Sequence, residues 1–100
     1  MAAAYGWAGG YEQGLSCYRQ GRISCAQQLL REVIASGQLK GPSLAKAYFY
    51  LGLCYLGAGD ETGARQCFCL AREAAPHWEP DPLEMAPKAM RLWKAAGGRH

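Results

Sequence analysis

Gly14, Gly21, Ala26 and Leu30 return 38 positions later as Gly52, Gly59, Ala64 and Phe68. Tyr11 and Leu15 return at the same offset as Phe49 and Leu53. A recurrence of this length marks stacked supersecondary units. Small residues stand beside large apolar ones in both copies, which is the pattern of paired helices. A Gly or Ala at a crossing lets two backbones approach, and the large side chain fills the gap beside it. A chain built this way is expected to be all-α and to offer a binding surface more readily than a catalytic site.

The apolar spacing divides the chain into five helices. The first spans about residues 8–20 and stops at Gly21, a natural left-handed terminator. The second covers 22–36, with Ile23, Ala26, Leu29, Leu30, Val33 and Ile34 forming one stripe at intervals of three and four. The run Gly37 to Pro42 breaks the helix, and Pro42 or Ser43 opens the third, 43–57, which is apolar nearly all round and is expected to be the most buried. Asp60 is placed to cap the fourth, 61–75, with Glu61 favourable at its positive end. That helix turns Ala64, Cys67, Phe68, Ala71 and Ala74 or Ala75 inward and leaves Arg65, Arg72 and Glu73 on the wet side. Pro76 ends it. The stretch His77 to Pro82 is too rich in proline to be regular, although Asp81, Pro82 and Glu84 have the form of a capping box with proline at the first helical position. A final helix over 87–96 directs Ala89, Met90, Trp93 and Ala96 or Gly97 toward the protein, with Lys88, Arg91 and Lys94 toward solvent.

Tyr48, Leu51, Gly52, Tyr55, Gly59, Ala64, Phe68, Ala71 and Pro76 stand at the spacing Y-x2-L-G-x2-Y-x3-G-x4-A-x3-F-x2-A-x4-P. This resembles the tetratricopeptide repeat. On that register one repeat covers about residues 45–78. A degenerate copy over about 7–40 has Gly14, Cys17, Gly21, Ala26, Leu30 and Val33 at corresponding places. It departs from the pattern at Gln13, Cys17, Leu30 and Gln38. The offset of 38 exceeds the family's period of about 34, and the surplus fits the loop near Gly37 to Pro42. The tail, with Pro87, Lys88, Leu92, Trp93 and Ala96, is similar to the end of small bacterial modules of this kind, where a closing helix follows the last repeat. The resemblance implies one domain of two antiparallel helix-turn-helix pairs in a right-handed superhelical stack, sealed by a C-terminal helix.

What the resemblance implies for function is an adaptor or scaffold. The first helix of each pair lines a concave face that typically holds a peptide or a partner helix. Carried onto this sequence, the inward-facing positions are Tyr11, Leu15 and Tyr18, then Lys46, Phe49, Tyr50, Leu53 and Leu56. Aromatic rings and one lysine suit an apolar segment carrying an acidic group. Two other readings stand beside it: a chaperone-like holder of an apolar segment of an exported or assembling protein, and a module that associates with itself. Repeats that clamp a C-terminal carboxylate use asparagine with basic side chains, and this sequence contains no asparagine.

Other classes of function find little in the sequence. Acid–base catalysis needs paired titratable groups in one pocket, whereas Glu73, Glu79, Asp81 and Glu84 fall around a loop and two helix ends, where capping and solvation account for them. An enzyme is not expected. No glycine-rich phosphate loop follows a strand, and no cofactor is expected. The formal charge of +3 is scattered, which argues against nucleic acid. Cys17, Cys25, Cys54, Cys67 and Cys69 lie within the apolar pattern, where free cysteine packs as a small hydrophobe. The sulfurs of Cys67 and Cys69 point about 200° apart on a helix, and the only histidines are His77 and His100, so neither a metal site nor a nucleophile with its base is expected. Residues 1–10 lack the positive n-region of a targeting signal, and the longest uncharged stretch, 47–59, is too short to cross a bilayer. A cytoplasmic protein is the expectation.

Overall fold

The computed structural model describes the backbone of residues 2–97 and the side-chain environments of residues 10–96. The helices are α1 (Ala2–Arg19), α2 (Ile23–Ala35), α3 (Gly41–Gly57), α4 (Glu61–Ala74) and α5 (Pro87–Gly97), with one 3-10 turn at Pro82–Glu84. There is no strand among the described residues. The fold is all-helical, as the periodicity requires, and the expected boundaries hold to within a few residues. The first helix is the largest departure, since it begins at Ala2 rather than near residue 8. His100 and Gly97, the latter as an inward-facing position, lie outside the residues whose side chains are described.

The two tight turns are built alike. Gly21 takes φ +81° and Gly59 φ +86°, conformations that a Cβ would oppose. Arg22 N–H donates to the Cys17 carbonyl at 2.8 Å, and Asp60 N–H donates to the Tyr55 carbonyl at 2.8 Å. Gly21 N–H donates to Tyr18 and Gly59 N–H to Leu56, each at 3.0 Å. Both ends therefore carry the same pair of bonds that satisfies the last carbonyls of a helix terminated by glycine. Only the second turn adds a side-chain cap, with Gly63 N–H donating to Asp60 Oδ1 at 2.8 Å; Arg22 provides none.

The reversed chain brings matched residues together. A Cβ placed on Gly14 would sit 3.0 Å from Leu30, and one on Gly52 would sit 2.6 Å from Phe68 and 3.2 Å from the Ala64 carbonyl oxygen. The same glycine therefore meets the same large partner in each copy. Gly10 faces Val33 and Cys17 faces Cys25, so α1 and α2 pass each other in opposite directions. Helix α2 packs on α3 as well, and α3 is the most buried element, enclosing Ala45, Ala47 and Phe49 through Cys54. Between the copies, Gly37 (φ +75°) and Gly41 (φ +58°) turn the surplus loop, and Leu39, buried, plugs it into the core. Pro42 stands in the first turn of α3, where its missing N–H costs nothing.

Helix α5 packs on α4 in the same sense rather than the opposite one. Glu61 and Lys88 form an ion pair near the start of both helices, and Phe68 and Arg72 both meet Trp93 further along. The long connection after α4 makes this return path available. Arg72, expected in solvent, is half-buried: its Nε and Nη2 donate to the Trp93 carbonyl at 3.2 and 3.1 Å, and its guanidinium lies 4.2 Å from the Trp93 ring centre. An arginine stacked on an indole while bonding a helix carbonyl joins two favourable interactions in one side chain.

No helix of the described residues is long and apolar enough to cross a membrane.

The close crossing of α3 and α4 makes a prediction. In urea denaturation, Gly52→Ala is expected to lower stability by about 1–3 kcal/mol through overpacking against Phe68, despite alanine's better helix propensity. Gly14→Ala would meet Leu30 Cγ and Cδ2 at 3.0 Å, a looser approach than the 2.6 Å at Gly52, and is expected to cost less. Equal and negligible effects at both positions would contradict the packing.

Candidate functional site

The eight positions expected to face a partner divide into two groups. Leu15, Phe49, Tyr50 and Leu53 are buried, and Tyr11, Tyr18, Lys46 and Leu56 are half-buried. The side chains of the first group belong to the core and are covered in this structure, where they were expected on an open face. Phe49, 1% exposed, is the centre of an aromatic cluster. It stacks on Phe68 at 5.4 Å and meets Tyr50, Trp78 and Trp93 edge-on at 5.4, 5.7 and 5.5 Å. Tyr50 in turn meets Tyr18 edge-on at 5.3 Å. Offset and edge-on arrangements of this kind stabilise beyond the area they bury.

The cover over these residues is the chain's own connection between α4 and α5. Trp78 lies against Phe49, Pro80 is buried, and Met85 packs on the core. Further along, Glu84 approaches Arg19 at 3.9 Å, and the Arg19 guanidinium stands 6.0 Å from the Tyr50 ring centre. The segment therefore runs from beside Phe49 to the end of α1, along the side of α3 that α1 borders. Trp93 Nε1–H donates to Glu79 Oε1 at 3.3 Å, which gives a buried indole its partner. Asp81 Oδ1 accepts from Leu83 N–H at 2.9 Å and nucleates the 3-10 turn. That turn holds Leu83 almost fully in water, at 93% exposure.

The opposite side of the helices is open. A groove of about 370 Å³ runs between α2 and α4 over Tyr48, Leu51 and Tyr55 of α3. A second, of about 620 Å³, lies between α4 and α5 and is lined by Thr62, Arg65, Gln66, Cys69, Leu70 and the alanines Ala95 and Ala96. Leu70 borders both and is 41% exposed. Neither groove was anticipated from the sequence. The available signal was a leucine on the α4 face that also carries Gln66 and Glu73.

Titratable groups are arranged for packing. Burial pushes the Cys54 thiol up to about 11 and the Cys67 thiol up to about 12, the latter with added repulsion from Cys54 and Asp60. Neither is a nucleophile at neutral pH, because the thiolate is the reactive form. Burial likewise raises Tyr11 and Tyr18, helped by Glu12 at the first and by Cys54 and Glu84 at the second. Hydrogen bonding to Lys88 holds the Glu61 carboxyl below its usual range. All five cysteines are free, with Cys17, Cys54 and Cys67 buried and Cys25 and Cys69 partly exposed. Among the described residues no three His, Cys, Asp or Glu side chains gather closely enough to hold a metal ion.

The chain matches no known family model, no curated protein and no solved structure.

The raised thiols tie stability to alkaline pH. Cysteine in the unfolded chain ionises near 9.0, whereas Cys54 and Cys67 keep their protons to about 11 and 12. Between those values the folded state binds more protons, so their contribution is intact below about pH 9 and is lost as pH rises through the folded values. Urea midpoints are expected to fall between pH 8 and 10.5, with each thiol contributing on the order of 1–2 kcal/mol. The double variant Cys54→Ala/Cys67→Ala should start lower and fall less over that interval. An unchanged slope would contradict the burial of these thiols.

Proposed function

We propose that this chain is a protein-interaction module of the tetratricopeptide type, an adaptor that receives a segment of another protein along the side of α3 bordered by α1. Its two helix pairs, α1 with α2 and α3 with α4, are the repeated unit, stacked with a right-handed superhelical offset, and α5 seals the second pair. The observation that carries the reading is the recurrence of one contact and one turn at an offset of 38: Gly14 on Leu30 and Gly52 on Phe68, followed by Gly21 and Gly59 with matching hydrogen bonds. Repeats of this kind are built to present extended faces, and function lies in what those faces hold.

The class of ligand follows from what already lies there. Trp78 lies on Phe49, the same segment carries the buried Pro80 and the core-packed Met85, and Glu84 supplies an acid opposite Arg19. This is an apolar segment carrying an acidic group, the chemistry expected of a partner. A partner with the same character would meet Tyr11, Tyr18, Lys46 and Leu56, which remain partly accessible, and would compete with the chain's own connection. A cytoplasmic adaptor, rather than an enzyme, is the form of activity this reading assigns.

Self-association is the second reading, and Leu70 favours it. An exposed leucine between two open grooves is the feature a stacked copy would cover.

Selection from a displayed peptide library on the intact chain distinguishes these readings. The enriched peptides are expected to pair apolar residues with an acid. Their affinity should fall about tenfold or more, a loss of about 1.4 kcal/mol, in Tyr18→Ala and stay level in Leu70→Ser. Loss in Leu70→Ser alone would move the interaction to the α4 face. A mass that rises with concentration in ultracentrifugation and returns to monomer in Leu70→Ser would favour self-association instead.

A further inference from the structure

We infer that Cys17 and Cys25 form a dithiol–disulfide centre, which a peroxide closes and a small-molecule dithiol reopens. Their Sγ atoms stand 3.0 Å apart across the α1–α2 turn. That is the one thiol–thiol hydrogen bond among the described residues. A disulfide needs its sulfurs at about 2.05 Å, so closure requires a movement of only about 1 Å at side chains that already face each other. The turn that presents them is held by its own backbone bonds, Arg22 N–H to Cys17 and Gly21 N–H to Tyr18. The juxtaposition is therefore a property of the folded chain.

The two thiols are unequal in a way that assigns their roles. Cys25 is partly exposed in the first turn of α2, whereas Cys17 is buried behind it at 7% exposure. The hydrogen bond between them, together with burial, favours the protonated form of Cys17. Cys25 is thus the sulfur that meets an oxidant in solution, and Cys17 is the resolving thiol. An accessible thiol backed by a second one is the arrangement found in redox-responsive cysteines.

The chemistry balances with hydrogen peroxide as oxidant. The Cys25 sulfur attacks one peroxide oxygen, the O–O bond breaks, and Cys25 becomes a sulfenic acid as water is released. The Cys17 sulfur then attacks the Cys25 sulfur: the S–S bond forms, the S–O bond breaks, and hydroxide leaves as a second water with the Cys17 proton. Two thiols lose two electrons and two protons in all. Exchange with a dithiol reductant restores both. Closure staples the end of α1 to the start of α2, next to Tyr18 and Arg19, which touch Tyr50 from the rim of the covered face.

The test is peroxide treatment of the folded full chain, followed by alkylation, tryptic digestion and mass spectrometry. Cleavage after Arg19, Arg22 and Arg31 places the two cysteines on separate peptides. The expected product is the peptide ending at Arg19 joined to Ile23–Arg31, with a loss of about 2 Da for two hydrogens, and its disappearance on adding dithiothreitol. In Cys17→Ser the same treatment should leave Cys25 as a sulfenic acid that dimedone traps. Cys25→Ser should give neither product. The proposal is overturned if peroxide oxidises Cys69 while Cys17 and Cys25 stay as thiols. It is equally overturned if the linked peptides appear only in urea, or if the bond that forms joins two chains.

Discussion

The backbone of Gly52 against the ring of Phe68 is the contact on which the rest of the structure depends. There is no room for a Cβ at that point: it would stand 2.6 Å from the ring and 3.2 Å from the Ala64 carbonyl oxygen. Glycine lets α3 and α4 approach to backbone distance, and the buried Phe68 side chain fills the space this opens. Once Phe68 is fixed, Phe49 stacks on it and Trp93 meets both. The packing of α5 therefore follows from the α3–α4 crossing. In the first copy Leu30 takes the place of Phe68 over Gly14, a softer contact with no ring to stack upon.

The segment between α4 and α5 solves a different problem. The α1–α3 side of the second pair is lined with Phe49, Tyr50 and Leu53, an apolar surface that water would oppose. Trp78 lies against Phe49, Pro80 is buried and Met85 packs on the core, while Glu79 satisfies the Trp93 indole and Arg72 clasps the Trp93 carbonyl. Among the described residues no fully buried side-chain nitrogen or oxygen is left without a partner. The cover stays marginal at its edge. Its last polar link is the Glu84 to Arg19 pair, long and partly exposed, and an exposed pair of this kind contributes little.

Much of the fold was legible because its signals are local. Helix ends declare themselves through Gly21, Gly59, Asp60 and Pro76, and the inward stripes of α2, α4 and α5 follow from spacing alone. The recurrence of small residues beside large apolar ones was legible through the repeat, but which glycine meets which side chain was not. Contacts across distant parts of the chain were not. Arg72 reads as a solvated charge on its own helix, and only Trp93, arriving from 21 residues away, makes it a bridge. Leu39 reads as loop, although it plugs the core. The burial of Phe49 and Tyr50 was hidden for the same reason: a register says which way they point, but not that Trp78 will already lie against Phe49. The Cys17–Cys25 contact likewise joins two helices, and neither helix alone announces it.

Proton NMR on the folded chain tests the central claim, that one glycine-on-large-residue crossing is built twice. Nuclear Overhauser contacts are expected from the Gly52 α-protons to the Phe68 ring and from the Gly14 α-protons to the Leu30 methyls, with the Gly52 α-protons displaced by the ring current. A helical, cooperatively folded chain lacking the Gly52 to Phe68 contact would contradict it.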